Sequence, residues 1–171
     1  MQQHRALILR SNRFLGSALV DKELVSNSDV EEANVKFMDA IQSTDYKRAS
    51  ILSSLLFDLK KLEEAKLIDY QIEEARLGFV DLDYMEVTSL RPMNVDISLC
   101  WASSTLPFDL VEGIYLVATC YYLSAPVVKY WEDLLPGPVL WYGTTMTSLS
   151  RALGRVEEIH EAEDTAAEEE D

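Results

Sequence analysis

Phosphate, nucleophile and metal chemistry each require particular residues at particular spacings. A nucleotide-hydrolysing motor needs a loop of the form Gly-x-x-x-x-Gly-Lys-[Ser/Thr]. The six glycines (Gly16, Gly78, Gly113, Gly137, Gly143 and Gly154) include none followed by lysine, so these residues supply no motor. A Ser or Cys nucleophile needs a base, and the two histidines, His4 and His160, stand near opposite ends of the sequence. Cys100 and Cys120 each sit in an apolar run, which predicts buried free thiols and no disulfide. Two Cys and two distant His have no metal-ligand spacing. The adjacent pairs Glu31-Glu32, Glu63-Glu64 and Glu73-Glu74 read as solvated helix surfaces and not as acid–base dyads. Asp81 and Asp83 alone make no cation site. The expectation is therefore no catalytic residue, no metal and no cofactor.

Recognition is the remaining kind of chemistry. All three tryptophans and six of the eight tyrosines fall between residues 84 and 156. Most should pack in the core or on a sheet face, but aromatics left exposed would anchor a protein partner. In an extended segment Tyr115, Val117, Thr119 and Tyr121 share one face and Leu116, Ala118 and Cys120 the other. Tyr115, Tyr121 and Trp141 are the candidate partner-binding residues. The formal net charge of −15 disfavours nucleic acid. Residues 157–171 hold nine of the acidic side chains and no Lys or Arg, while residues 1–156 carry −6. Like-charge repulsion predicts a solvated, unfolded tail there.

The positioning elements follow from periodicity. Residues 1–83 read as helical. Ser28 and Glu31 fit a capping box, and Val30, Ala33, Phe37 and Ile41 then recur at helical steps, with Asn34 interrupting the stripe. A second pattern holds Ile51, Leu52, Leu55, Leu56 and Leu59, and a third runs from Glu63 to Arg76. Shifting the sequence by 37 residues aligns Gly16 with Ser53, Leu19 with Leu56, Val25 with Leu62 and Val30 with Leu67, a weak repeat of two helical units. Beyond residue 84, Phe108–Val111 and Ile114–Tyr121 read as strands around a Glu112-Gly113 turn. Pro126 begins a helix, Pro136-Gly137-Pro138 stops it, Val139–Tyr142 is a third strand, and Thr147–Val156 is a closing helix. The fold class expected is α+β: an N-terminal bundle of helical hairpins, then a β-β-α-β-α subdomain with a three-stranded sheet covered by helices on one face. The expected division is 1–83 helical, 84–156 α/β and 157–171 disordered acidic tail. The longest apolar stretches, such as Leu116–Tyr122, are far shorter than the ~20 residues a membrane span needs, and no signal-peptide core is present, so the expected location is the cytoplasm.

Three stretches in this order resemble the N-terminal regulatory domain of the ATPases that drive type II secretion and type IV pilus assembly. They are Leu15-Gly16, Leu19-Val20 and Leu24-Val25 in the first helical unit; Ala75-Arg76-Leu77-Gly78-Phe79-Val80-Asp81-Leu82; and Leu106-Pro107-Phe108 with Glu112-Gly113, Leu116–Thr119 and Leu123-Ser124. The resemblance covers roughly residues 13–156 and implies a docking or regulatory module without the motor. Its implied partner is a protein, such as a secretion or pilus platform component or an ATPase. One branch of the family binds cyclic di-GMP through two copies of R-L-G-x-x-L-[LV]-x-x-G, and this implies candidate ligand residues Leu15, Gly16 and Leu19, with Arg13 and Arg10 upstream. The sequence departs from that pattern. Phe14, Glu23 and Phe37 stand where the first copy has Arg, its second Gly and Gln. Ser53, Lys60 and Glu74 replace both glycines and the Gln of the second copy. Glycines let backbone amides approach phosphates and Arg offers a planar fork, so these replacements count against a cyclic dinucleotide ligand.

Overall fold

The computed structural model describes residues 4–43, 45, 47, 49–121 and 124–169. Tyr122, which ends the apolar stretch from Leu116, Leu123 of the third stretch, and Glu170 and Asp171 at the end of the expected tail lie outside the described residues. Helix α1 (Arg5–Asp21) buries Ile8, Asn12, Gly16 and Leu19 on one face. Helix α2 (Asn27–Ser43) buries Ala33, Phe37, Ala40 and Ile41, the stripe its periodicity predicts. Its start differs from the expected Ser28–Glu31 box. Ser26 Oγ accepts from Asp29 N at 3.1 Å, and Asp29 Oδ2 accepts from Ser26 N at 3.0 Å, so the box closes two residues earlier.

The second helical unit repeats the first with looser turns. Helix α3 (Ile51–Ser53) widens into π-helical geometry over Ser54–Asp58, and α4 (Glu64–Asp69) does the same over Tyr70–Glu74. The repeat is visible in the backbone. Glu23 closes α1 at φ 57°, and Lys60, 37 positions on, closes the widened α3 at φ 52°. Leu24 N donates to Leu19 O at 3.0 Å and Glu23 N to Val20 O at 2.9 Å, the bonds of a Schellman stop. Glycine is the usual residue for this left-handed position, and here charged residues occupy it in both copies.

The sheet has four strands and not three. Strand β1 (Gly78–Phe79) pairs parallel with β4 (Val139–Gly143); β4 pairs parallel with β3 (Ile114–Thr119); and β3 pairs antiparallel with β2 (Thr105–Val111). The order is β1-β4-β3-β2. The additional strand comes from within the segment read as helical. It is two residues long and exposed, so no alternation marks it, and it exists because β4 offers a free edge: Val80 N donates to Gly143 O at 2.9 Å. Covering is also two-sided at one end. Thr119 and Val117 on one face of β3 and Ala118 on the other are all fully buried. Helix α6 (Ala125–Leu134) lies over the Thr105 face, where Trp131 Nε1 donates to Thr105 Oγ1 at 3.0 Å. Helix α5 (Ile97–Ser103) leads directly into β2.

Helix α7 (Met146–Glu169) continues through residues expected to be an unfolded tail. Val156 is its last fully buried residue. Beyond it, the segment before α5 holds the helix. Leu90 N donates to His160 Nε2 at 3.1 Å, Arg91 Nη2 donates to His160 O at 3.2 Å, and Arg91 Nη1 lies 2.7 Å from Asp164 Oδ1. Alanine and glutamate have high helix propensity, which offsets part of the repulsion among the acids.

Two outcomes are expected. Ser26→Ala should destabilise the protein by about 1 kcal/mol in urea denaturation, while Ser28→Ala stays within about 0.5 kcal/mol. The Arg91 guanidinium holds the Asp164 carboxyl below its ordinary range. A depressed folded-state pKa means that the contribution is present above the unfolded carboxylate range and lost as pH falls through the folded value. A carboxyl NMR titration should place Asp164 below free aspartate, and Arg91→Gln should return it to that range.

Candidate functional site

Helices α1 and α2 and the start of α3 enclose a cleft of about 480 Å3. Arg13, Ser17, Asn27, Glu31 and Asn34 supply its polar walls, and Val20, Val30 and Ile51 part of its apolar surface. The helices meet closely here because Gly16 has no side chain: a Cβ on Gly16 would stand 2.9 Å from Val30 Cγ1. The arrangement can receive a ligand with an apolar or planar body and hydrogen-bonding edges. Arg13, on the α1 wall, can face an anion, with the Glu31 carboxylate on the α2 wall opposing it.

Of the five ligand candidates, the structure brings Arg13 and Gly16 together in this cleft. Arg10 is exposed, its guanidinium 5.9 Å above the Phe14 ring. Leu15 lines a separate small cavity, and Leu19 is fully buried in the core. Sequence reasoning missed Ser17 and Asn27. The available signal was Asn34, a polar residue interrupting an apolar stripe, which proves to face the cleft.

Asn12 forms the back of the cleft and is 1% exposed. Its Nδ2 donates to Ile8 O and Ala102 O, both at 3.0 Å, and its Oδ1 accepts from Ile51 N at 2.9 Å. One amide thus joins α1, α3 and the end of α5. Gln71 plays the matching part for the second unit. It is fully buried, and its Nε2 donates to Cys120 O and, at 3.2 Å, to Thr144 O. A Cβ at Gly143 would lie 2.2 Å from Gln71 Oε1, so only glycine admits that amide beside the sheet.

Of the partner candidates, Tyr121 is 2% exposed, its ring 4.4 Å from that of Tyr70, which places it inside the core and off the surface. Tyr115 and Trp141 are half-buried. Of the exposed apolar residues on the sheet, Phe79 lies on β1, and the aliphatic Leu110, Val111, Ile114 and Leu140 lie toward the β2–β3 turn: Val111 is 47% exposed, Ile114 39% and Leu140 47%. Val111 pairs with Ile114 and Leu140 with Leu116, and Ile114 and Leu116 alternate on β3, so all four share one face. No Lys or Arg occurs on β2, β3 or β4, whereas Asp109 and Glu112 stand beside these residues.

The groups considered for catalysis serve structural roles. Asp81 Oδ1 accepts from Asp83 N at 3.0 Å and from Ser148 Oγ at 3.1 Å, and Asp83 faces Arg151 at 3.4 Å. His4 packs edge-on against Tyr130 with ring centroids 5.4 Å apart. Cys100 and Cys120 are fully buried, and burial pushes both thiols up, away from the reactive thiolate. Burial also pushes the Tyr130 phenol up to about 12. Among the described residues, no group of three His, Cys, Asp or Glu is placed to hold a metal ion. No described helix is long and apolar enough to cross a membrane.

No protein-family model matches the chain. No curated protein matches it. Among solved structures, the N-terminal domain of XpsE aligns with a TM-score of 0.53 at 14% identity, over 84% of this chain and 93% of that one. The chain has the fold of the XpsE N-terminal domain. A second crystal form of that domain aligns at 0.44 and 16% identity, over 72% of this chain and 94% of that one. A structure of MshE with cdg aligns at 0.48 and 19% identity, covering 83% and 97%.

The close helix crossing gives opposite expectations for two glycines. Gly16→Ala gains about 1 kcal/mol of helix propensity but overpacks against Val30 at a cost of about 1–3 kcal/mol, a net loss. Gly154 in α7 has nothing within 4 Å of its added Cβ, so Gly154→Ala should stabilise by up to about 1 kcal/mol. Thermal unfolding of the two variants should shift in opposite directions.

Proposed function

We propose that this chain is a non-enzymatic docking or regulatory module that works in the cytoplasm by binding a protein partner through the uncovered end of its sheet. The observation that carries the reading is the shared face of Val111, Ile114, Leu116 and Leu140, apolar, exposed or half-exposed, and bordered by acids without a compensating cation on its strands. Such a surface suits a partner segment with an apolar stripe flanked by Lys or Arg. The XpsE-like fold supports a secretion or pilus platform component, or an assembly ATPase, as the partner class. Co-purification from the native cell should recover such a component. Leu140→Asp and Val111→Asp should each weaken recovery about tenfold or more without unfolding the chain. Recovery unchanged by both, or no such component in the eluate, would overturn the reading.

A second reading is a cyclic di-GMP receptor with a degenerate motif. It is favoured by the meeting of Arg13 and Gly16 in the α1–α2 cleft and by the left-handed turns kept at Glu23 and Lys60. The Glu31 carboxylate on the cleft wall and Phe14 in place of the motif arginine oppose it. Calorimetry decides between them. Heat of binding that is abolished by Arg13→Ala supports the receptor, and silence at high micromolar ligand removes it.

A further inference from the structure

Two serines with buried, unpartnered hydroxyls line one small cavity. Ser104 is 4% exposed and Ser124 2%, and neither Oγ has a hydrogen-bond partner among the described residues. Both line a cavity of about 20 Å3, with Asn12, Leu15, Thr119 and Val127 among its other walls.

Each serine sits where its hydroxyl has an ordinary alternative that it does not take. Ser124 is the N-cap of α6, a position where serine normally accepts from a first-turn amide, yet its side chain makes no capping bond. The amides of Val127 and Val128 bond the Ser124 carbonyl instead, each at 3.0 Å. Ser104 ends α5 in the left-handed conformation at φ 53°. Its own amide and carbonyl are engaged with Trp101 O and Cys120 N. Asn12 makes no bond to either hydroxyl: both its amide hydrogens are donated to Ile8 O and Ala102 O, and its Oδ1 accepts from Ile51 N. A buried hydroxyl without a partner is unfavourable, and a cavity of this size exceeds the ~10–15 Å3 that one water requires. No charged side chain lines the cavity, so an ion there would be left uncompensated. The fitting ligand is small, neutral, and both donor and acceptor.

We propose that this cavity is a hydration site holding one internal water that bridges Ser104 Oγ and Ser124 Oγ and joins the end of α5 to the start of α6. The water stands behind Asn12, on the far side of α1 from the cleft, and is independent of either functional reading.

Magnetic relaxation dispersion of the oxygen-17 water signal counts such long-lived waters in the full chain. The double variant Ser104→Ala, Ser124→Ala, shown to be folded by its amide spectrum, should lose the contribution of one water. An unchanged dispersion amplitude would overturn the proposal. A high-resolution crystal structure of the unsubstituted chain tests it without relying on the variant. Density within hydrogen-bonding distance of both hydroxyls supports the site, and a dry cavity or a direct Ser104–Ser124 bond overturns it.

Discussion

The helical half of this protein is held to its α/β half by two buried side-chain amides. Asn12 reaches from α1 to the first amide of α3 and to the last carbonyl turn of α5. Gln71 reaches from the second helical unit to the carbonyls that follow β3 and β4. Apolar packing alone would leave the two halves free to slide, because aliphatic contacts are non-directional. An amide buried among backbone groups fixes one register, since any displacement strands donors and acceptors away from water. Gly143 is the corresponding concession in the sheet, where a strand residue gives up its side chain so that the Gln71 amide can close in.

This junction leaves two parts of the surface for recognition. On the helical side, the close α1–α2 crossing at Gly16 opens outward into a cleft with mixed polar and apolar walls. On the sheet side, the ends of β2 and β3 at Thr105 and Thr119 are buried, and their ends at the β2–β3 turn are exposed. Rigid backbone thus presents aliphatic side chains to solvent at a fixed spacing, at little conformational cost to binding. The part of α7 from residue 157 onward adds charge of a single sign, and Arg91 and His160 keep much of it aligned with the body of the protein.

The sequence made the local elements legible. Ala33, Phe37 and Ile41 name the buried stripe of α2, Glu112-Gly113 the hairpin, and Pro126 with Pro136-Gly137-Pro138 the limits of α6. The 37-residue repeat reappears as matching left-handed stops at Glu23 and Lys60. What stayed hidden depends on partners remote in the chain. Gly78-Phe79 becomes a strand only because β4 offers it an edge 64 residues later (142 − 78). The helical state of residues 157–169 depends in part on Arg91, which no reading of the acids by themselves includes. The same holds for the site. Arg13 and Gly16 were found through a motif, and Asn12 and Gln71 were not, because a buried amide leaves no periodic trace. Ser28 with Glu31 fits the commoner capping pattern, whereas the helix is capped by Ser26, with the shorter Asp29 closing the box.

The seclusion of Cys100 and Cys120 gives the molecule a built-in stopwatch. One thiol lies in α5 and the other just past β3, close to where Gln71 anchors the second helical unit, and neither meets solvent in the native state. A thiol reagent in excess can therefore modify them only as often as the surrounding structure opens. Cys100 shares α5 with the Asn12 anchor and Cys120 sits at the Gln71 anchor, so equal modification rates would mean that the two anchors open together. A faster rate at either sulfur would reveal which anchor yields first.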